Sequence, residues 1–406
     1  MDGYSTGRLL VAMLRNRGVT CLHVQSQPEM TEAFRGGFRA ADYEVDIAYE
    51  PDVEVLAARL REEKVTRVIA GTESGVTLAD TLSDLLGLPG NAPEFTAARR
   101  DKALMADAVR AAGLATPLGA TVASAPEAVA WYERERLTDV VAKPLKSAGT
   151  DNIRFCEDRA RLSEACEHIL ASANLYGEPN AAVLVQERLH GVEYYLNTVS
   201  HQGLHRTAEL WRYVKCEGAG GAPVYDYEEP VEAAGPDGRM LRAFTHGVLD
   251  ALGIRSGAAH TEVMVTARGP VLIETGARLG GATIPHLVEK FAGVSQASLF
   301  ASALVDPASL HDFDDESVRW KGALRMVSLI NHTAGVIRSD RWMSVLESLP
   351  TLAASSYSAA VGDHLPETVD LLTAPGYVYL AADRLADVER DYEALRALER
   401  QGLYTG

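Results

Sequence analysis

The chain has 406 residues, 47% hydrophobic and 23% charged, a balance ordinary for a globular protein and a length suited to two or three domains. A formal net charge of −17 argues against nucleic acid and anionic membranes as partners, because both are bound by Lys and Arg laid along phosphates. No run of eighteen apolar residues occurs, and Cys21, Cys156, Cys166 and Cys216 lie far apart without a C-x-x-C, which points to reduced thiols and a cytoplasmic protein rather than a disulfide or zinc framework.

The first hundred residues alternate helix and strand. Thr6–Gly18 has helical spacing, Thr20–Gln25 and Val45–Tyr49 are short strands, and Val53–Lys64 is a helix. Thr66–Gly71 reads as a buried strand and Val76–Leu86 as a helix closing at Gly87, so a small α/β layer with a parallel sheet is predicted. The opening Met1–Gly7 has the texture of a turn that follows a strand, yet no strand precedes it. Either the sheet lacks that strand or the chain starts upstream. Glu73-Ser74-Gly75 falls at a strand's carboxyl end, where α/β sheets place ligands, and Glu73 is a candidate for the substrate pocket.

From Thr96 the texture changes. Arg99–Ala112 is an amphipathic helix carrying Lys102, and Val140–Pro144 is a strand with Lys143 at its end. Lys146–Asn152, with Ser147, Gly149 and Thr150, is a small-residue loop of the kind that lays backbone N–H groups over phosphates. No G-x-x-x-x-G-K-[ST] occurs, so it is not a Walker A loop. Val183–Leu189 is an apolar strand ending in a polar pair, Gly191–Leu196 starts another, and Arg206–Lys215 a third. Cys216–Pro230, rich in Gly and acidic residues, reads as a mobile loop, and Asp237–Leu252 as a helix. His201 and His205 flank a glycine and read as a hairpin tip. Asp312–Glu316 reads as a solvated loop before a tail with strands Arg319–Ile330, Ser355–Val361 and Gly376–Ala381 and the helix Leu385–Gln401.

Gly257–His286 is the densest stretch. Ala259–Val265 and Val271–Thr275 form a hairpin about a turn at Ala267–Pro270, which places Glu262 opposite or nearly opposite Glu274. Directly opposed carboxylates repel, so the pair calls for a cation. Arg278, the Gly280-Gly281 pair and a helix start at Thr283-Ile284-Pro285 follow at once, and helix starts favour anions. This combination suggests a Mg²⁺-bound polyphosphate meeting an anionic substrate.

Together these motifs resemble the ATP-grasp superfamily of carboxylate–amine ligases, most nearly the branch with bacterial L-amino-acid (dipeptide) ligases and carnosine synthase. The E-x-x-x-R-x-G-G run Glu274–Gly281 carries that likeness best. The resemblance covers nearly the whole chain and implies a mixed α/β and α+β fold: a Rossmann-like pre-ATP-grasp domain over 1–95, an ATP-grasp core over 96–310 with a lid at about 120–200, and a small α+β subdomain over 311–406. By resemblance, Lys102 and Lys143 hold the α- and β-phosphates, and Ser147, Gly149 and Thr150 close over them. Gln186, Glu187 and Leu189 form the adenine hinge, Glu193 binds ribose, and Lys215 reaches the γ-phosphate. Glu262 and Glu274 carry Mg²⁺, with Mn²⁺ as the alternative ion, while Arg278 and Gly281 hold the substrate carboxylate. Separately, Ala282 is small and directly follows the glycine pair, which suggests an acyl pocket that admits more than alanine. One departure stands out. Many relatives have Asn two residues after the second metal glutamate, and here that position is Gly276.

The activity implied is amide-bond formation through an acyl phosphate, with small-molecule carboxylate and amine substrates and a homodimer as the candidate assembly. The rivals are a ligase acting on a carrier-bound or polyamine acceptor and a non-catalytic nucleotide-binding regulator. Arg325, on the first tail strand, is a candidate for meeting a second carboxylate. His260 and His286 flank the site with no base assigned.

Overall fold

The computed structural model describes residues 1–30, 38–147, 150–218 and 223–405. Its centre is an eight-stranded antiparallel sheet in the order β11-β10-β7-β8-β9-β12-β16-β14. The strands are β7 (Gly191–His201), β8 (Leu204–Glu217), β9 (Pro223–Pro230), β10 (Gly257–Thr266), β11 (Gly269–Gly276), β12 (Ala323–Ser328), β14 (Leu352–Tyr357) and β16 (Gly376–Ala382). Side chains alternate between faces along each strand, and here the alternation separates core from chemistry. Leu196, Leu210, Val263 and Leu272 pack with Leu241 and Val248 of helix α7 (Pro236–Ala251) and with Met105 and Val109 of α4 (Lys102–Ala111). The opposite face carries Glu262 and Glu274, and beside them Tyr195, Trp211, Met326 and Tyr379 pack under α8 (Pro285–Ala292).

A second, four-stranded sheet has the order β3-β6-β4-β5, from β3 (Gly119–Val122), β4 (Val140–Pro144), β5 (Arg154–Cys156) and β6 (Val183–Glu187). Its own core joins Val140 and Val185 to Trp131 of α5 (Ala125–Glu135) and Leu162 and Ile169 of α6 (Arg159–Ala171). The N-terminal layer pairs β1 (Leu22–Val24) with β2 (Val45–Ile47) in parallel, packed against α2 (Val53–Glu62) and α3 (Val76–Leu86). At the other end, α12 (Leu385–Arg400) is fastened to β9 by Arg396, whose Nε and terminal nitrogen reach Asp226 Oδ1 at 2.9 and 2.6 Å.

Four expectations are corrected. Thr66–Gly71 is not a ladder strand. Instead Gly71 N donates to Met1 O at 2.7 Å, and Asp2 N donates to Val24 O at 2.9 Å, so Met1 and Asp2 run between this segment and β1. Cys216–Pro230 is mostly strand: β8 continues to Glu217 and β9 begins at Pro223, because Val224, Tyr225 and Tyr227 have β-forming side chains paired with β8. Residues 219–222 lie outside the described residues. Asp312–Glu316 is not simply a solvated loop, since Asp315 is buried and accepts from Arg242 at 2.6 Å and Thr207 N at 3.0 Å. Arg325 meets no free site. It is buried, donates to Glu229 at 3.1 Å and lies 3.9 Å over the Tyr227 ring.

Candidate active site

The hairpin of β10 and β11 pairs Glu262 directly with Glu274, and a bulge follows between Glu262 and Val263. Lys102 reaches Glu274 at 2.6 Å and also donates to Ser147 O at 2.9 Å. Lys102 stands at the first position of α4, whose N-cap Asp101 accepts from Ala103 N and Leu104 N. The cap therefore fixes where the lysine projects. An ammonium thus occupies the position beside the paired carboxylates where electrostatics demands a cation.

Glu262 faces His260 Nε2 at 3.6 Å and the Tyr213 hydroxyl at 3.4 Å. Burial alone would raise its pKa, but His260 beside it, then Lys215 and Lys102, outweigh burial and hold it below the usual carboxylate range. Glu262 is accordingly a standing anion at neutral pH. His260 is itself oriented by Asn197 Oδ1 at 2.8 Å, while Asn197 Nδ2 donates to Glu209 at 3.1 Å. Because Asn197 presents its carbonyl oxygen, His260 donates from Nδ1 and turns Nε2 toward Glu262. Gly280 closes over this pair, where a Cβ would stand 2.8 Å from Asn197 Oδ1.

Lys143 ends β4 in a buried position, and no hydrogen bond or ion pair reaches it among the described residues. Burial, then the neighbouring Lys102, brings its pKa down to about 8. A buried ammonium without a partner is costly, so the site is built for an anion to complete it. Lys215 pairs with Glu193 at 2.7 Å and lies 4.4 Å from the Tyr225 ring centroid. Burial raises the Glu193 pKa against the pull of Lys215.

Arg278 is held by two contacts, from Nε to Glu73 Oε2 at 3.1 Å and from a terminal nitrogen to Leu279 O at 2.8 Å. Glu73 comes from the N-terminal layer, and its other oxygen accepts from Arg100 at 2.6 Å. Burial would raise the Glu73 pKa, yet Arg100 and Arg278 together hold it below the usual carboxylate range. Gly276 makes this approach feasible, because a Cβ there would lie 2.6 Å from Glu73 Oε2 and 3.3 Å from Arg278. The space that an asparagine would fill in the resembled pattern is taken by a carboxylate from another layer.

The hinge candidates are differently engaged. Gln186 is buried on β6, and Glu187 accepts from Leu118 N at 2.9 Å and Arg268 at 2.7 Å. Both contacts fall on Oε1 of Glu187, and Leu189 is half-buried. Ser147 donates to Asp151 at 2.5 Å, and Thr150 Oγ1 accepts from Leu371 N at 3.1 Å. Gly149 lies outside the described residues. Gly281 and Ala282 are exposed, and Ala282 O accepts from the Tyr379 hydroxyl at 3.1 Å. His286 is exposed on α8.

Among the described residues, no three His, Cys, Asp or Glu side chains gather into a metal-binding set. Glu262 and Glu274 alone still fit Mg²⁺, which binds through one or two carboxylates and takes its other ligands from phosphates and water. With Lys102 standing in for the cation, the donor set suits an ion that arrives with a polyphosphate.

No protein-family model matches the chain. Dapdiamide A synthase of Enterobacter agglomerans is 34% identical over 418 residues, covering 100% of this chain and 96% of that protein. The chain belongs to the ATP-grasp carboxylate–amine ligase family. It is an ATP-dependent carbon–nitrogen ligase. The solved L-amino acid ligase of Bacillus licheniformis superposes with a TM-score of 0.75 at 18% identity, covering 98% of this chain and 95% of its own. The N5-carboxyaminoimidazole synthase of Aspergillus clavatus, solved with ADP, superposes with a TM-score of 0.68 at 13% identity, covering 98% and 97%. At such identities the likeness is one of fold.

Three residues beside the candidate site escaped sequence reading. Arg100 was hidden as one of two adjacent arginines, and its neighbour Arg99 is a buried partner of Asp80 at 2.7 Å. Asn197 and Tyr195 read as ordinary strand residues. Only their cross-strand register beside His260 and Glu262 reveals them.

Proposed function

We propose that this ligase joins a small-molecule carboxylate to an amine, with amino acids as the substrate class, in cytoplasmic small-molecule biosynthesis. The names of its relatives support this reading, and its division into 1–95, 96–310 and 311–406 is part of the same proposal. One observation carries it. The opposed Glu262–Glu274 pair has Lys102 on Glu274, with Lys143 buried nearby and without a partner among the described residues, and Arg278 follows on the same hairpin, held by Glu73.

In this reading Lys102, Lys143 and Lys215 neutralise the phosphates of ATP, and Ser147 and Thr150 flank them. Gln186, Glu187 and Leu189 border the base, and Glu193 the ribose. Glu262 and Glu274 hold Mg²⁺, which supplies charge neutralisation on the transferring phosphoryl group. Arg278 and Gly281 bind the substrate carboxylate. One of its oxygens attacks the γ-phosphorus, the bond to the bridging oxygen breaks, and ADP leaves with that electron pair. The neutral amine then attacks the acyl carbon, and the acyl C–O bond to phosphate breaks with its electron pair leaving on phosphate. The amine's surplus proton passes to the departing phosphate or to solvent as the amide forms. Phosphoryl transfer asks chiefly for in-line placement and charge stabilisation, which this arrangement of cations supplies. Arg278 also faces the oxyanion of the second step, where loss of one donor costs on the order of 3–4 kcal/mol.

The test is phosphate release with amino acids offered in pairs. A pair-dependent signal, lost in Glu274→Ala and Arg278→Ala with circular dichroism unchanged, is the expected result. Full activity in either variant refutes the assignment, and dependence on a carrier protein or polyamine redirects the acceptor class.

A further inference from the structure

Nearly all the buried carboxylates have partners that account for them. Asp80, Glu193, Asp226, Asp315, Asp391 and Glu399 each meet an arginine or lysine. Asp2 and Glu209 instead accept three hydrogen bonds each. Glu228 is the exception among the described residues. It is buried, no ion pair reaches it, and its one hydrogen bond comes from the Tyr195 hydroxyl to Oε2 at 2.7 Å. A single neutral donor holds an anion poorly, and burial pushes the Glu228 pKa up to about 8. An amide or apolar side chain would fill this position at lower cost, so the ionisable group calls for a use.

Cross-strand register places Glu228 on the face that carries the site. It lies opposite Tyr213 of β8, which lies opposite Glu193 of β7. On its other side it lies opposite Met326 of β12, which pairs with Tyr379 of β16. Directly opposed residues share a face of the sheet. Two hydroxyls tie this row to its surroundings, as Tyr213 donates to Glu262 at 3.4 Å and Tyr379 to Ala282 O at 3.1 Å. Glu228 therefore stands between a carboxylate assigned to Mg²⁺ and the loop that brings Gly281 to the substrate. In the ligase reading, acyl phosphate and amine meet in that interval. The ionisable groups facing Glu228 are Tyr195 and Glu193 on β7, Tyr213 and Lys215 on β8, Glu262 on β10, Tyr225 on β9, and Tyr377 and Tyr379 on β16. Lys215, the one cation of that set, is already bonded to Glu193 at 2.7 Å.

An amine substrate comes from neutral solution as an ammonium, which has no lone pair to attack with. One proton must leave first, and a base that titrates near the working pH takes it best. We propose that Glu228 is the base that converts the bound ammonium to the attacking amine. The proton passes from nitrogen to the carboxylate, the freed lone pair attacks the acyl carbon, and the C–O bond to phosphate breaks with its electrons on phosphate. Glu228 returns its proton to solvent as the product leaves, and the second proton of the amine follows the route given above. This rests on the ligase reading and concerns the activation of the amine alone. Tyr195 is a positioning residue, whose hydroxyl holds Oε2 and leaves Oε1 for the substrate.

The test begins with the full-length protein, ATP and Mg²⁺, each proteinogenic L-amino acid as the acid and hydroxylamine as the acceptor, read as acyl hydroxamate. Hydroxylamine is already neutral at pH 7 and needs no base. Amide formation is then measured with the same acids and with amino acids as the amine. In Glu228→Gln, amide formation at pH 7 should fall about 100-fold or more, while hydroxamate formation changes by less than about threefold. Amide formation in that variant should recover as pH rises toward the range where the free amine loses its proton. Tyr195→Phe removes the donor that favours the anion, so the acidic limb of the kcat profile should move to higher pH with its plateau kept. Equal loss of hydroxamate and amide in Glu228→Gln, unchanged amide formation there, or an unmoved limb in Tyr195→Phe overturns the proposal and leaves the ligase reading standing. Absence of hydroxamate from wild type with every acid would overturn the amino-acid ligase reading, and this assignment with it.

Discussion

Gly276→Ala is the smallest change that probes how the N-terminal layer reaches the ligase centre. The new Cβ would lie 2.6 Å from Glu73 Oε2, against an ordinary contact of 3.4 Å, so the carboxylate would have to retreat by roughly 0.8 Å. A glutamate tip usually moves at little cost, but this one is tied to Arg100 at 2.6 Å and Arg278 at 3.1 Å. A hydrogen bond to a charged group contributes about 1.5–3 kcal/mol, so stretching these two should cost about 2 kcal/mol, equal to about 30-fold in kcat/KM. In a Glu73→Ala background the collision is gone, and the same substitution should cost under about 0.5 kcal/mol. The assay is a double-mutant cycle over wild type, both single variants and the double variant. It reads kcat/KM for ADP formation and the urea midpoint. A coupling near 1.5 kcal/mol is expected. Additivity within about 0.5 kcal/mol would refute the claim that Gly276 exists to admit Glu73.

Two further outcomes follow from buried ionisable groups. Lys143 titrates near pH 8 in the free protein, and a bound phosphate should raise that value; nucleotide affinity should therefore fall as pH rises above about 8, with proton uptake on binding. Calorimetry of ADP binding in two buffers at pH 8.5 to 9 would show this uptake, and Lys143→Arg should abolish it. Glu228, buried and bonded to the Tyr195 hydroxyl at 2.7 Å, has its pKa pushed up by burial to about 8. Its folded pKa exceeds the unfolded one, so its contribution is complete below about pH 4.5 and is lost as pH rises toward 8. Glu228→Gln should flatten that loss, gaining stability relative to wild type between pH 5 and 8 in urea titrations. A constant difference across that range would show that Glu228 is ionised in the native protein.

Residues that declare themselves locally were legible in the sequence. The hairpin turn and alternation bring Glu262 close to Glu274, a bulge beside Val263 makes the pairing direct, and Lys143 is announced as a polar residue near the end of an apolar strand. Elements governed by long-range pairing were not. Thr66–Gly71 has strand composition but makes its backbone bonds with Met1, a partner no periodicity announces. The acidic β9 reads as loop because Asp226, Glu228 and Glu229 mask its alternation. Each finds a distant partner, in Arg396, Tyr195 and Arg325 respectively. Arg100 was illegible for a similar reason, since its meaning depends on Glu73 and Arg278, both remote in the chain.

The contact of Glu73 with the bare backbone of Gly276 also bears on how such enzymes can be recombined. A chimaera that takes its first layer from one ligase and its hairpin from another inherits either a collision or a hole at this seam. An asparagine-bearing hairpin would expel Glu73, and a layer lacking Glu73 would leave two guanidiniums unbridged. The two positions must therefore be exchanged as a unit, and the layer border drawn along the chain is the wrong place to cut.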